Sequence, residues 1–348
     1  MTRDIRRSLA AAARYGAVAA TFGALAFAQG DPFLAGLEAY HHGNYAAAEK
    51  SFRAASDPRA KTFLALTLAA TGRCKQAEGD LSAAFKSGAE ETRKLAGLAL
   101  AQCGIAGDRL DDATAVVLQL KQRYPNDADV LYESARLHMR AWNQTIYELY
   151  QKAPASFRVN QISGEILETQ GNFAEAAAEY RKAIAKSPTT LNLHFRLGRA
   201  LLLKSHDPEN LEAALKEFQA ELALNPQDCI AHYQVAQVLL AEEKPQEAAP
   251  SLARALEINP DFGEALVALG KLRSTERKND EAISLLQRAV KLEPRSEAAH
   301  YALMMAYRNA GKLQEARAEK AEFDKLQKAP EGEFTEFLKK LGEKPPEK

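Results

Sequence analysis

Apolar and small side chains in this chain fall three and four residues apart, in runs broken by short polar turns. Leu197 and Leu201 mark one run, and Ala214, Phe218 and Leu222 mark the next. That spacing is one face of an amphipathic helix. A short turn, such as Gly171-Asn172 or Gly311-Lys312, makes the two helices antiparallel neighbours. Proline ends the second helix, because it has no N–H donor and disfavours helical geometry in the residue before it.

The pattern repeats. Ser187-Pro188, Asn225-Pro226, Asn259-Pro260 and Glu293-Pro294 follow one another at intervals of 38, 34 and 34 residues. Ahead of three of these prolines stand similar segments, Ala176 to Ala183, Ala248 to Ala255 and Ala282 to Ala289. Earlier in each unit a small residue follows an apolar one, as in Leu197-Gly198 and Leu269-Gly270. Small residues let helix axes approach closely. One hairpin cannot bury its own apolar faces, so neighbours must stack into a continuous core.

These residues resemble the tetratricopeptide repeat, a motif of small residues at set places, one large residue among them and a closing proline. In the unit that begins at Phe157 they are Gly164, Ala176, Ala183, Tyr180 and Pro188. From Cys229 they are Ala236, Ala248, Ala255, Leu252 and Pro260, and from Gly263 they are Gly270, Ala282, Ala289, Leu286 and Pro294. The resemblance implies an all-α fold, a right-handed superhelical solenoid of about nine stacked helix-turn-helix repeats. The unit at Leu191 departs from the pattern by about four extra residues near Ser205–Asn210, expected to enlarge a turn. Glu221 stands there where a small residue belongs, and must reach outward or find a partner.

Upstream the signature loosens. Residues 43–55, 72–84 and 110–125 each read as a turn plus second helix, or as a second helix alone. The stretch from Ala128 to Pro154 reads as a first helix followed by a short aromatic second one with Trp142, Tyr147 and Tyr150. The expected organisation is irregular hairpins over 29–156, a regular array with a polar capping helix over 157–326, and a mostly disordered charged tail over 327–348, with a turn of helix around Phe334–Leu341.

The first residues change the picture. Arg3, Arg6, Arg7 and Arg14 precede an uncharged stretch from Tyr15 to Ala28 that ends in Ala26-Phe27-Ala28. A basic start, a short apolar run and a small-x-small site form a secretory signal peptide. About 14 apolar residues make a helix of roughly 21 Å, too short for a ~30 Å hydrocarbon core. The expectation is therefore export to the periplasm or beyond, with cleavage after Ala28, in a bacterial setting and without a stable membrane span. The whole chain balances 46 basic against 46 acidic residues, and loss of 1–28 leaves 42 against 45. That balance argues against nucleic acid as a partner, since phosphate binding needs a surplus of Lys and Arg.

Candidate chemistry is sparse. No nucleotide-binding glycine loop, zinc-protease, nucleophile-elbow or CxxC motif is present, and the repeats leave no segment for a catalytic domain. The reading is that the protein is not an enzyme and holds neither cofactor nor metal. His194, His232 and His300 share one repeat position and read as packing residues, and His41-His42 as solvated. Cys74 and Cys103 lie beside turns of consecutive hairpins, which leaves open a disulfide or two buried small side chains.

The resemblance implies a concave groove lined by the first helix of each hairpin. Carried over position by position, the groove presents Arg158, Gln161 and Glu165, then Asn192, Phe195, Arg199 and Leu202. Tyr233, Gln237 and Leu240 follow, then Glu264, Val267 and Lys271, then Tyr301, Met305 and Arg308. Phe195, Tyr233 and Tyr301 share one position beside basic residues, a composition typical of binding hot spots. Some family members capture a C-terminal carboxylate with Lys and Asn at such positions; Phe195 and Tyr233 depart from that pattern. The resemblance thus implies a scaffold that holds a protein or peptide partner. Two rivals stay open: a structural subunit that assembles through its convex face or early repeats, and a carbohydrate-binding protein or enzyme using the Ser205–Asn210 insertion.

Overall fold

The computed structural model describes residues 31–327. The expected signal segment and the tail from 328 onward lie outside the described residues. Seventeen helices and no strands make up the described chain. They fall into two compact units that meet in sequence at Lys152 and Ala153.

The first unit contains α1 (Pro32–His41), α2 (Tyr45–Ala54), α3 (Ala60–Ala70), α4 (Cys74–Ser87), α5 (Glu90–Ala106), α6 (Leu110–Arg123) and α7 (Ala128–Lys152). Asp31 starts α1 by accepting the Phe33 N–H at 2.9 Å, with Pro32 in the first turn, where its missing donor costs nothing. Phe33, Phe52 and Phe63 meet with centroids 5.7–5.9 Å apart and close the first hairpin onto the next. A second core gathers Leu66, Leu81 and Ala96 around the Cys103 side chain.

The fourth hairpin of this unit does not form. Residues 128–152, expected as two helices, are the single 25-residue α7. Nothing between Met139 and Tyr150 breaks a helix, since the segment has neither glycine nor proline. Only its first half is buried, through Val130, Glu133, Ser134 and Leu137. Met139, Trp142 and Tyr147 are 62, 51 and 65 % exposed.

The second unit contains five hairpins: α8 (Phe157–Thr169) with α9 (Phe173–Lys186), α10 (Leu193–Lys204) with α11 (Pro208–Leu224), and α12 (Cys229–Ala241) with α13 (Pro245–Ile258). The last two are α14 (Gly263–Thr275) with α15 (Asn279–Leu292) and α16 (Glu297–Asn309) with α17 (Leu313–Gln327). One core runs from Ala176 to Leu272. The small and large positions interlock: a Cβ on Gly164 would lie 2.6 Å from Tyr180, and one on Gly270 would lie 2.6 Å from Leu286. At Gly164, Gly198 and Gly270 glycine leaves room for the large residue of the second helix, and Ala236 holds the corresponding place in α12. Ala316 is the one buried side chain of α17, whose remaining polar surface suits a capping helix.

Each hairpin among the described residues closes through a three-residue turn. In seven of the eight the middle residue has positive φ, from Gly43 at 73° and Gly171 at 76° to Asp108 at 61° and Glu243 at 59°. The exception is Ser205–Asp207, beside the insertion. The extra residues there do not enlarge the turn, as expected from sequence. They lengthen α11 to 17 residues, against 14 in α9, α13 and α15. The reason is local: Pro208 opens the helix early and Asp207 accepts the Asn210 N–H at 2.8 Å.

Glu221 finds its partner inside. It is fully buried on α11, and its carboxylate accepts the backbone N–H of Asn192 at 2.7 Å and of Phe195 at 3.3 Å. A side chain 26 to 29 residues away thereby caps the start of α10, where Asn192 itself has φ 69° and caps nothing. A carboxylate suits that place, because unpaired N–H groups and the helix dipole both favour negative charge.

Candidate functional site

The first helices of the second unit, α8, α10, α12, α14 and α16, carry the residues expected to line a groove. Arg158, Gln161, Asn192, Phe195 and Arg199 come together around one concavity of about 500 Å³, joined by Thr190, Leu191 and Arg196. Glu165 lies in an adjoining concavity of about 470 Å³, with Glu168, Arg196 and Arg199. Tyr233, Gln237, Leu240, Glu264, Val267 and Lys271 line a cavity of about 410 Å³ along α14, whose wall is completed by Ala268 and Ala298. Leu202, Tyr301, Met305 and Arg308 line none of these three. Leu202 packs against the core, and Tyr301 stays 46 % exposed.

The three expected aromatic anchors are half in the fold. Phe195 meets Phe218 with centroids 5.6 Å apart, Tyr233 meets Phe262 at 5.1 Å, and Tyr301 meets Phe323 at 5.6 Å. Each ring is fixed by an aromatic neighbour and shows its remaining surface outward. Partial burial, and then the nearby Glu264 carboxylate, raise the Tyr233 hydroxyl pKa above its ordinary value of 10.0, so it remains a neutral donor.

Between α8 and α10 an ordered charge ladder stands that the repeat register missed. Arg196 reaches Glu165 at 3.1 Å, and Arg199 reaches Glu168 at 2.8 Å. The buried Tyr180 hydroxyl donates to Glu168 at 2.8 Å from below. Arg196 was not among the expected groove residues. Its signal in the sequence is a pair of arginines three apart, one repeat after a pair of glutamates three apart. The Arg196 Nε is buried with no acceptor, and so is the second oxygen of Glu168 with no donor.

The histidines lie apart from these concavities. His194 pairs with Glu217 at 2.6 Å, and His300 pairs with Glu319 at 2.7 Å and with the Pro294 carbonyl at 3.1 Å. His232 approaches the Pro226 carbonyl at 3.2 Å. His41 and His42 are exposed. Among the described residues no group of three or more His, Cys, Asp or Glu side chains could hold a metal ion. Cys74, at the start of α4, is bonded to Cys103 near the end of α5, with Cα atoms 5.6 Å apart; Cys229 is free and half-buried. No helix among the described residues is long and apolar enough to cross a membrane.

A family model of the tetratricopeptide repeat matches residues 163–228, 207–262 and 267–330. Among curated proteins, DnaJ homolog subfamily C member 3 from Bos taurus is 34 % identical over 101 residues, and its Homo sapiens counterpart 33 %. The matched stretch is 29 % of this chain, and the chain spans only 19 % of the length of those relatives. Among solved structures, MamA is 20 % identical with a TM-score of 0.44, covering 49 % of this chain and 92 % of its own. The corresponding figures for MamA from Desulfovibrio magneticus RS-1 are 19 %, 0.46, 51 % and 97 %. YrrB, described as a repeat protein of this kind with an unusual peptide-binding site, is 20 % identical with a TM-score of 0.45, covering 53 % and 93 %.

Proposed function

From the match of the tetratricopeptide-repeat model to residues 163–262 and 267–330, we propose that this protein is a non-catalytic scaffold that binds a segment of another protein in the groove of its second unit. The observation that carries this reading is the convergence of outward positions from successive first helices on neighbouring concavities. Stacked helices hold those side chains in place before a partner arrives, so binding loses little ordering entropy. We further propose that the protein is exported and works in a cell-envelope assembly or export complex. The basic, apolar, Ala-Phe-Ala start of the chain supports export, as does a cysteine pair of the kind that persists in oxidising compartments.

The test is retention of a partner from envelope extract by residues 29–348, beside an Ala298→Trp variant. Ala298 is exposed at the rim of the cavity along α14, so tryptophan there fills the cavity without disturbing the core. A partner held by the first bait and lost from the second supports the groove. A partner held equally by both removes it.

A second reading is favoured by the exposed Met139, Trp142 and Tyr147 on α7. In that reading the protein is a structural subunit that assembles through its first unit. It predicts that Trp142→Ser with Tyr147→Ser abolishes association while Ala298→Trp leaves it unchanged.

A further inference from the structure

Resting on the groove reading, we propose that the bound segment is an extended acidic peptide: side-chain carboxylates seat against Arg158, Arg196 and Arg199, and a bulky apolar side chain enters the cavity along α14. The first concavity is lined by three guanidinium groups and by no carboxylate. Glu165 and Glu168 hold Arg196 and Arg199 from one side. Arg158 has no carboxylate partner among the described residues. Its guanidinium donates to Gln161 at 2.6 Å and lies 4.5 Å over the Phe157 ring, which fixes its direction. The Arg196 Nε is buried without an acceptor, as is that of Arg93 in the first unit, so a ligand would meet the outer nitrogens of the guanidinium. Planar forks held this way suit carboxylates, which they can meet through two parallel hydrogen bonds.

The first unit sets the contrast. Every arginine from Arg53 to Arg140 lies in an ion pair with a carboxylate. Against that background an unpaired Arg158 beside two arginines aimed into one concavity is a local surplus of positive charge. The neighbouring cavity differs in kind. Tyr233, Leu240, Val267 and Ala268 give it apolar walls, and Glu264, Glu293 and Lys271 are its charged lining, so it suits an apolar side chain and not a carboxylate. First helices one to two repeats apart lie ~10–20 Å from each other, which about three to six residues of extended chain would span. The peptide therefore carries Asp or Glu a few residues from a Leu, Phe or Tyr.

Random dodecapeptides displayed with blocked C-termini, panned against the purified protein, test this directly. Enriched sequences should combine acidic residues with a nearby bulky apolar one. Fluorescence anisotropy of a labelled winner should weaken ~10-fold with Arg158→Glu. It should weaken further as salt is raised and stay unchanged with Arg181→Glu, an exposed arginine on α9. Arg158 is exposed and tied to no carboxylate, so its substitution leaves the fold intact, which an unchanged melting temperature confirms. Winners that Ala298→Trp displaces, yet that bind equally well with Asn and Gln in place of Asp and Glu, overturn the acidic preference and leave the groove reading standing. Winners indifferent to Ala298→Trp, or no enrichment at all, overturn both.

Discussion

In the first unit, neighbouring hairpins are tied by charge and by a covalent bond. Arg73 pairs with Glu49, Arg109 reaches Glu78 at 2.6 Å, Arg140 reaches Asp108 at 2.9 Å, and Cys74 is bonded to Cys103. In the second unit the two helices of a hairpin interlock through small and large residues, Gly164 under Tyr180, Gly198 under Phe218 and Gly270 under Leu286. Between the hairpins of α8 and α10 the charged tie is Arg196–Glu165 with Arg199–Glu168, and no covalent bond joins them. The difference has a functional side. Where repeats drift from the regular pattern, arginines hold the array together and are no longer available to a partner. In the second unit Arg196 and Arg199 are also paired across neighbouring hairpins, but Arg158 beside them is tied to no carboxylate among the described residues and faces the same concavity.

Breaking the covalent tie should have the largest effect. The Cys74–Cys103 bond closes a loop with a sequence separation of 29. A loop of that size implies a loss of ~3–4 kcal/mol on its removal in the chain-entropy account. Hydrogen exchange of a Cys74→Ser, Cys103→Ser double variant should rise across α3–α6 and stay unchanged across α12–α17. Uniform loss of protection in both units would show that they do not rely on different ties.

Gly270→Leu attacks the other unit. With a Cβ only 2.6 Å from Leu286, overpacking should cost ~1–3 kcal/mol and lower the melting temperature. An unchanged transition would mean that the interlocking contact is not what holds α14 to α15. Smaller, at ~1–2 kcal/mol, is the effect of Glu221→Ala, which leaves the start of α10 uncapped. Faster exchange at Asn192 and Phe195 is expected, while Glu221→Gln, still an acceptor, should restore much of the protection.

The smallest effect is on pH dependence. Hydrogen bonds from Arg73 and then Arg53 hold Glu49 down to a pKa of about 2, against an ordinary 4.5. A depressed carboxylate stabilises the fold above its unfolded value, and this contribution is lost as pH falls from about 4.5 toward 2. Melting curves of the Glu49→Gln variant should show a flatter acid limb than those of the parent. Identical limbs would remove this ion pair from the account of the first unit.

Helices, turns and the repeat register were legible from the order of residues, because each rests on neighbours within a few positions. Gly171 and Gly311 take up positive φ in their turns, and Ala282 and Ala289 are buried at the spacing that their period implies. The tetratricopeptide resemblance placed the expected groove residues on first helices; Arg158, Asn192, Phe195 and Tyr233 adjoin concavities there, and Leu202, Tyr301, Met305 and Arg308 do not. The unbroken α7 was also written locally, in a stretch without glycine or proline, but the expectation of a hairpin overrode it.

Contacts between distant positions were not legible. Glu221 looked like a misfit in its own helix, and only the approach of α11 to α10 turns it into a cap for backbone groups 26 to 29 residues earlier. Arg196 looked like one more surface charge, and only the stacking of α8 on α10 sets it against Glu165 and leaves its Nε buried without an acceptor. Periodicity reports which face of a helix is apolar. Which polar groups meet across two helices depends on distances that exist only once the hairpins have packed.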